Sequence, residues 1–285
     1  MKFPHLRPPY CFGGVESTFN QSKAVLVQVP YDSTVSYGIG ARYGPHAIIT
    51  ASRDLELYDL ELKKETIEEI PVYTMDEMEP NMNSPEKTIE RVEKAVEEII
   101  ENNKFPIVVG GEHSISLGPV KALKKKYKNL SVLQIDAHPD LREEYEGSKY
   151  NHACVMRRIK DEGIGIVQVG IRSVCKTDFE YMKKEKIETH YGNTFDIDRI
   201  LEKLSDEVYI TVDLDCFDPS IMPAVGTPEP GGLSWEQVLE ITKRVGKEKK
   251  VVGFDVVELA PIHGETRSDF LAAKLIYKLL GYSFK

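Results

Sequence analysis

Ser131-Val132-Leu133-Gln134-Ile135-Asp136-Ala137-His138-Pro139-Asp140 passes from an apolar, β-branched run to a cluster of carboxylates around one imidazole. Runs this short, stopped by polar residues, are typical of parallel strands buried on both faces. The same transition occurs twice more. Residues 107–109 run into Gly110-Gly111-Glu112-His113-Ser114, and residues 208–212 run into Asp213-Leu214-Asp215. Side chains two apart on an extended chain point the same way, so Asp136, His138 and Asp140 are expected to converge if strand geometry continues, and likewise Asp213 and Asp215. Open parallel sheets bind ligands beyond the carboxyl ends of their strands, where all three motifs lie. A metal site is expected there.

Further strands are expected at Ala24–Val29, 70–73, 166–170, 187–190 and 251–257, which with the three above makes eight. Between them, residues 85–103 read as a helix: Ser84 is an N-cap, Pro85 suits the first position, and Ile89, Val92, Val96, Ile99 and Ile100 share one face. Other helices are expected from near His113, at 178–184, and after the capping-box pattern Ser234-Trp235-Glu236-Gln237. The last, at 268–280, is expected to stop at Gly281. Strands alternating with helices predict an α/β fold with a mostly parallel sheet covered on both faces. No repeat, low-complexity tract or Pro/Gly/Ser linker marks a boundary, so residues 1–285 read as one domain. The glycine-rich 37–45 matches neither common phosphate-binding loop. It is either a turn leading to a helix at Pro45 or a wall of the substrate pocket.

With 41% apolar residues the chain can bury a sizeable core. No run approaches the roughly 18 apolar residues needed to span a bilayer, and residues 1–10 lack an apolar signal core, so a soluble, non-exported protein is expected. Four scattered cysteines, Cys11, Cys154, Cys175 and Cys216, form no Cys-x-x-Cys pair and suit a reducing cytoplasm. The formal charge of −9 disfavours nucleic acid as a partner and weakly favours a small cation.

Several aspartates meeting in a partly buried crevice demand neutralisation, which a divalent metal provides. Oxygen-rich ligands with one or two imidazoles suit Mn²⁺, although ligand type alone leaves Zn²⁺, Co²⁺, Ni²⁺ and Fe²⁺ open, and the number of carboxylates favours two ions. Cys216, beside Asp215, reads as a buried core thiol.

These motifs together resemble the ureohydrolases, the arginase and agmatinase family. The resemblance rests on Gly-Gly-Glu-His-Ser at 110–114, Asp-Ala-His-Pro-Asp at 136–140, and Val-Asp-Leu-Asp-Cys-Phe-Asp-Pro at 212–219 continuing to Gly232, with support from residues 40–45 and 255–261. It implies a three-layer α/β/α sandwich around an eight-stranded, mostly parallel sheet, with two Mn²⁺ ions. His113, Asp136, Asp140 and Asp213 would hold one ion, and Asp136, His138, Asp213 and Asp215 the other. By the same resemblance a hydroxide held between the ions attacks the guanidinium carbon. Asp140 carries a proton to the leaving nitrogen, Glu258 anchors the guanidinium, and His152 shuttles protons or contacts substrate. His5, His46, His190 and His263 match no family site. A homo-oligomer, trimer or hexamer, is implied.

The implied reaction is hydrolysis of the guanidinium of agmatine or an aminoalkyl-agmatine to urea and a polyamine such as putrescine. Within the fold, arginase, guanidinobutyrase and formiminoglutamase activities stay open. Arginases carry a Ser-Gly-Asn-type segment after the aspartate motif; here Glu143-Glu144-Tyr145-Glu146-Gly147-Ser148 stands instead, an acidic rim expected to favour an amine tail. The Ala153-Cys154 after His152 departs from the Gly-Thr of many agmatinases. Outside the family, a two-metal phosphoesterase would want an Asn-His pair and a cationic clamp, neither evident. A metal-binding protein without catalysis is the remaining alternative.

Overall fold

The computed structural model describes residues 7–284; His5 lies outside them. Strand β1 (Ala24–Val29) leads through the glycine-rich loop into helix α1 (Gly44–Ser52), with Pro45 in its first turn. A short hairpin (Tyr58–Asp59 with Lys64–Glu65) and one helical turn (Thr66–Glu69) precede β2 (Val72–Glu77). Then follow α2 (Pro85–Glu101), β3 (Phe105–Gly110), α3 (Leu117–Lys126), β4 (Leu130–Ile135), α4 (Val155–Asp161) and β5 (Gly165–Ile171). The chain continues with α5 (Lys176–Glu185), β6 (Glu188–Tyr191), α6 (Ile197–Lys203), β7 (Glu207–Asp213), α7 (Trp235–Glu248), β8 (Lys250–Val257) and α8 (Arg267–Ser283).

The strands β1 to β8 form one eight-stranded sheet in the order β2-β1-β3-β8-β7-β4-β5-β6, parallel at every ladder. Pleat alternation sends Leu26, Ile107, Leu133, Ile135 and Val212 to one face, where they meet α1, α7 and α8. Val25, Val27, Val108, Val132 and Tyr209 face the other way, against α2, α3 and α4. Both faces of β1 and β4 are buried throughout, which is why these strands read as continuous apolar runs and not as alternating ones. Each fully buried Val, Leu or Ile here contributes about 1.5–3 kcal/mol. The result is the expected three-layer α/β/α sandwich. Ser84 Oγ accepts the N–H of Lys87 at the start of α2, and Ser234 and Gln237 form a complete capping box on α7.

Four local expectations change. The second strand lies at Val72–Glu77 and not at 70–73, because Pro71 has no N–H for a ladder and the polar tail of this edge strand carries no apolar signal. The helix expected near His113 begins as a 3₁₀ turn, His113–Ser116, and becomes α-helical at Leu117. Helices α4 and α6, seven residues each, are too short to show an apolar period. Finally, α8 runs through Gly281 to Ser283. A Cβ at Gly281 would come within 2.4 Å of Leu62 Cδ1 and 3.1 Å of Thr66 Oγ1, so Gly281 sits in close contact with the hairpin turn and is not a left-handed cap.

Candidate metal centre and catalytic cleft

Strands β3, β8, β7 and β4 are consecutive neighbours in the middle of the sheet, and their carboxyl ends carry the predicted residues. His113 follows β3, Glu258 follows β8, Asp213 ends β7, and Asp136, His138 and Asp140 follow β4. At Gly111 a Cβ would lie 1.8 Å from the carbonyl oxygen of Tyr31, so only glycine lets this segment pass beside the loop leaving β1.

Convergence does not come from strand alternation, as the extended-backbone argument expected. Strand β4 ends at Ile135, and Asp215 lies in a 3₁₀ turn, Leu214–Cys216, after β7. Asp140 and Glu258 have φ of 52° and 68°, the left-handed region that non-glycine residues rarely occupy. Such conformations cost of order 1–3 kcal/mol and persist where surroundings over-determine them. The carbonyl of Asp140 accepts the N–H groups of Met156 and Arg157 at the start of α4, and Glu258 N–H donates to Gly111 O at 2.8 Å.

All six predicted ligands come together. Nδ1 of His113 lies 3.1 Å from Asp136 Oδ2, 3.1 Å from Asp140 Oδ2 and 3.3 Å from Asp213 Oδ2. His113 Nε2 is 2.8 Å from Thr211 Oγ1, whose hydroxyl donates to Asp255 Oδ1 at 2.6 Å. With its hydrogen so committed, Thr211 can only accept, so Nε2 carries the proton and Nδ1 the lone pair. That lone pair is buried without a hydrogen-bond partner. On the other side, His138 Nδ1 is 2.9 Å from Asp215 Oδ2 and 3.8 Å from Asp136 Oδ1. Donor atoms of His113, Asp136 and Asp140 form one group able to hold a cation, and those of Asp136, His138 and Asp215 a second.

The electrostatics agree with a cation site. Burial, then Asp215 and Asp140, pushes Asp136 up to about 7. Asp213 is raised well above the usual carboxylate range by burial and by Asp215 and Asp136. Burial would lower the imidazoles, yet Asp215 and Asp136 carry His138 up to about 10, and Asp136, Asp140 and Asp213 raise His113. Like charges held this close in a buried crevice call for a dication. The unsatisfied Nδ1 of His113, aimed between three carboxylates, fits one.

The cluster floors a cleft of ≈ 370 Å³ whose walls include Ser36, Tyr37 and Gly38 from the glycine-rich loop, Arg142, Tyr145, His152, Asp178, Thr227 and Glu258. Thus the first part of that loop is a pocket wall and Pro45 starts a helix; both readings of the segment hold. Glu258 Oε1 accepts the His113 N–H at 2.7 Å, and burial followed by Glu112 raises its carboxyl well above the ordinary value. His152 is held below its usual pKa by burial. The acidic-rim expectation fails. Glu143 pairs with Lys149, Arg157 and Arg158, and Glu144 and Glu146 are exposed and do not line the cleft. Apart from the metal-site aspartates and Glu258, the carboxylate that lines it is Asp178 on α5, only 4% exposed, its pKa raised by burial against a hydrogen bond from Cys175 and the charge of Arg142. Nothing local marks Asp178 in the sequence, since an acidic residue in the first turn of a helix is ordinary and it lies outside the strand-end motifs. Cys216 is a core thiol raised by burial, and His46, His190 and His263 do not line the cleft.

A profile of the Arginase family matches residues 22–281. An N(1)-aminopropylagmatine ureohydrolase of Synechocystis sp. is 36% identical over 277 residues, 93% of this chain and 90% of that protein. An agmatinase of Pyrococcus horikoshii is 35% identical over 264 residues, 91% of each chain. In three dimensions, the crystal structure of the agmatine ureohydrolase of Thermoplasma volcanium superposes with a TM-score of 0.86 at 36% identity, covering 94% of this chain and 92% of that one.

Proposed function

The chain belongs to the arginase family and is an agmatinase-like hydrolase; from that premise we propose that it is a Mn²⁺-dependent enzyme converting agmatine or an aminoalkyl-agmatine to urea and a polyamine such as putrescine. The observation that carries the reading is a cleft with a His/Asp cluster and Glu258 at its floor and the buried Asp178 carboxylate in its wall. The Glu258 carboxylate suits a guanidinium and that of Asp178 an ammonium.

In this reading His113, Asp136, Asp140 and Asp213 would hold one ion, and Asp136, His138, Asp213 and Asp215 would hold the other. When bound, the ions supply a hydroxide nucleophile at neutral pH. Guanidinium is a resonance-stabilised, poor electrophile, so the remaining residues must orient it and protonate its departing amine. Glu258 receives the guanidinium, whose charge favours ionisation of this buried carboxyl. Asp140 passes a proton to the leaving nitrogen, and His152 exchanges protons between cleft and solvent. Asp178 faces the ammonium tail, which by the same logic restores its charge.

Arg142 supports a second reading. Its guanidinium stacks 4.0 Å from the Tyr145 ring centroid in the cleft wall, where it suits a carboxylate-bearing guanidine such as arginine. The relatives named above favour the amine tail. Urea release from agmatine, aminopropylagmatine, arginine and guanidinobutyrate after Mn²⁺ loading decides between them. No urea from any guanidine would remove the hydrolase assignment.

The reading takes residues 1–285 as one catalytic domain, supported by a single sheet drawn from β1 to β8. It places the enzyme in the cytoplasm, supported by four free cysteines. Among the described residues no helix is long and apolar enough to cross a membrane. A homo-oligomer, trimer or hexamer, completes the proposal, with exposed Tyr37, Ile39 and Tyr43 near the cleft as surface for it; light scattering in solution tests it.

A further inference from the structure

His152 is connected to a buried carboxylate that the reaction outlined above does not use. Glu112 is fully buried beside His113. Its carboxylate accepts the Thr34 N–H at 2.7 Å, the Ser114 hydroxyl at 2.6 Å and the Thr34 hydroxyl. Thr34 Oγ1 in turn accepts the backbone N–H of His152 at 3.0 Å and lies 3.4 Å from His152 Nδ1. The Asn151 side-chain amide donates to the Thr34 carbonyl at 3.2 Å, so Thr34 ties the loop after β1 to the segment before α4.

A threonine hydroxyl has one hydrogen, and here Glu112 takes it. Thr34 Oγ1 can then offer Nδ1 only a lone pair, so Nδ1 must be the protonated nitrogen. Nε2 is left with the free lone pair, 3.5 Å from Ser36 Oγ on the cleft wall. A loop anchor alone would need only the two backbone N–H contacts. The hydroxyl contact with Nδ1 goes beyond these and selects a tautomer.

We infer that Glu112 and Thr34 are positioning residues which hold His152 in the Nδ1–H tautomer and present Nε2 to the cleft as the atom that takes up and releases protons. The inference rests on the proposed role of His152. A proton arrives on Nε2 from solvent and leaves it toward the departing amine; Nδ1 keeps its hydrogen throughout. While both nitrogens are protonated, the imidazolium stays hydrogen-bonded through Thr34 to Glu112. Its other neighbours are the Tyr145 ring, edge-on at 6.3 Å between centroids, and the charges of Asp140, His113 and His138.

The test uses Thr34→Val, which keeps the shape and removes the hydroxyl, Thr34→Ser, which keeps the hydroxyl, and His152→Asn. In ¹⁵N-histidine-labelled protein, the signal lost in His152→Asn identifies this imidazole. We expect it to report the Nδ1–H tautomer in the parent and a shift toward Nε2–H in Thr34→Val. In Mn²⁺-loaded enzyme, Thr34→Val lowers kcat for urea release about tenfold, part of the hundredfold or more typical of a placed acid–base group, with KM changed less than about twofold. Thr34→Ser recovers most of that loss, and Thr34→Val has no further effect in the His152→Asn background. The same loss in both backgrounds, or an Nε2–H signal in the parent, overturns the relay. If the parent enzyme releases no urea the functional reading fails instead, and the tautomer signal still decides the relay.

Discussion

The side chain of Glu258 accepts the backbone N–H of His113 at 2.7 Å, which locks the end of β8 to the segment after β3 across the β3–β8 ladder. The residue proposed to receive the guanidinium and a residue proposed to hold an ion are therefore one mechanical unit.

That link predicts different outcomes for two substitutions. Glu258→Gln retains a carbonyl oxygen for the His113 N–H, so metal content should stay at the parent level. KM should rise and kcat fall, with kcat/KM lower by about 1.5–3 kcal/mol for the lost charged partner. Glu258→Ala removes the acceptor too and should also weaken metal retention. Elemental analysis with steady-state kinetics checks both, and loss of metal in the glutamine variant would make Glu258 a ligand.

Asp136→Asn and Asp213→Asn should each abolish urea release and lower bound metal. Asp136 belongs to both donor groups, and Asp213 Oδ2 lies 3.3 Å from His113 Nδ1 while its Oδ1 accepts the Asp215 N–H at 2.9 Å. Removing either charge leaves two dications facing fewer anions. Two tightly held ions per chain in these variants would sink the shared-ligand assignment.

Substrate choice should run through Asp178 and Arg142. We expect kcat/KM for agmatine or aminopropylagmatine at least about tenfold above arginine, roughly 1.4 kcal/mol. Asp178→Asn should raise KM for the amines by a similar factor while leaving metal content alone. Arginine used as well as agmatine in the parent, and lost in Arg142→Ala, would transfer the assignment to amino-acid guanidines.

Acid stability should depend on the link between α8 and the hairpin. Lys278 Nζ lies 2.8 Å from Asp59 Oδ2 and 2.6 Å from Glu61 Oε2, and Lys243 reaches Glu61 at 2.7 Å. Burial would raise Glu61, but hydrogen bonds from Lys243, Lys278 and Tyr282 bring it down to about 2. An unfolded glutamate titrates near about 4.3, so this contribution is complete above that pH and is lost as pH falls toward about 2. Lys278→Met strands the buried Asp59 and should cost about 3–5 kcal/mol at neutral pH. Its Tm should also fall less steeply below pH ~4.5 than the parent's. Parallel Tm–pH curves would remove Lys278 from the acid response.

The strands, and the residues that gather at their ends, were legible in the sequence for a local reason. A strand buried on both faces must be apolar along its length, so the runs before Gly110, Asp136 and Asp213 stop where the sheet stops. Ser84, Ser234 and Gln237 likewise act on groups within their own turn. Tertiary structure alone decided how the site closes. Strand order puts β1, β3, β8, β7 and β4 side by side, and only that juxtaposition brings Glu258 to His113 and Thr34 to Glu112 and His152. The left-handed backbone at Asp140 and Glu258 is stable only because α4 and Gly111 hold it from outside. Asp178 belongs to the cleft because α5 is packed there, and Gly281 is a contact with the hairpin because α8 crosses it. Hydropathy and capping record what a residue needs from its immediate neighbours; they carry no record of which distant segment supplies a carboxylate's partner.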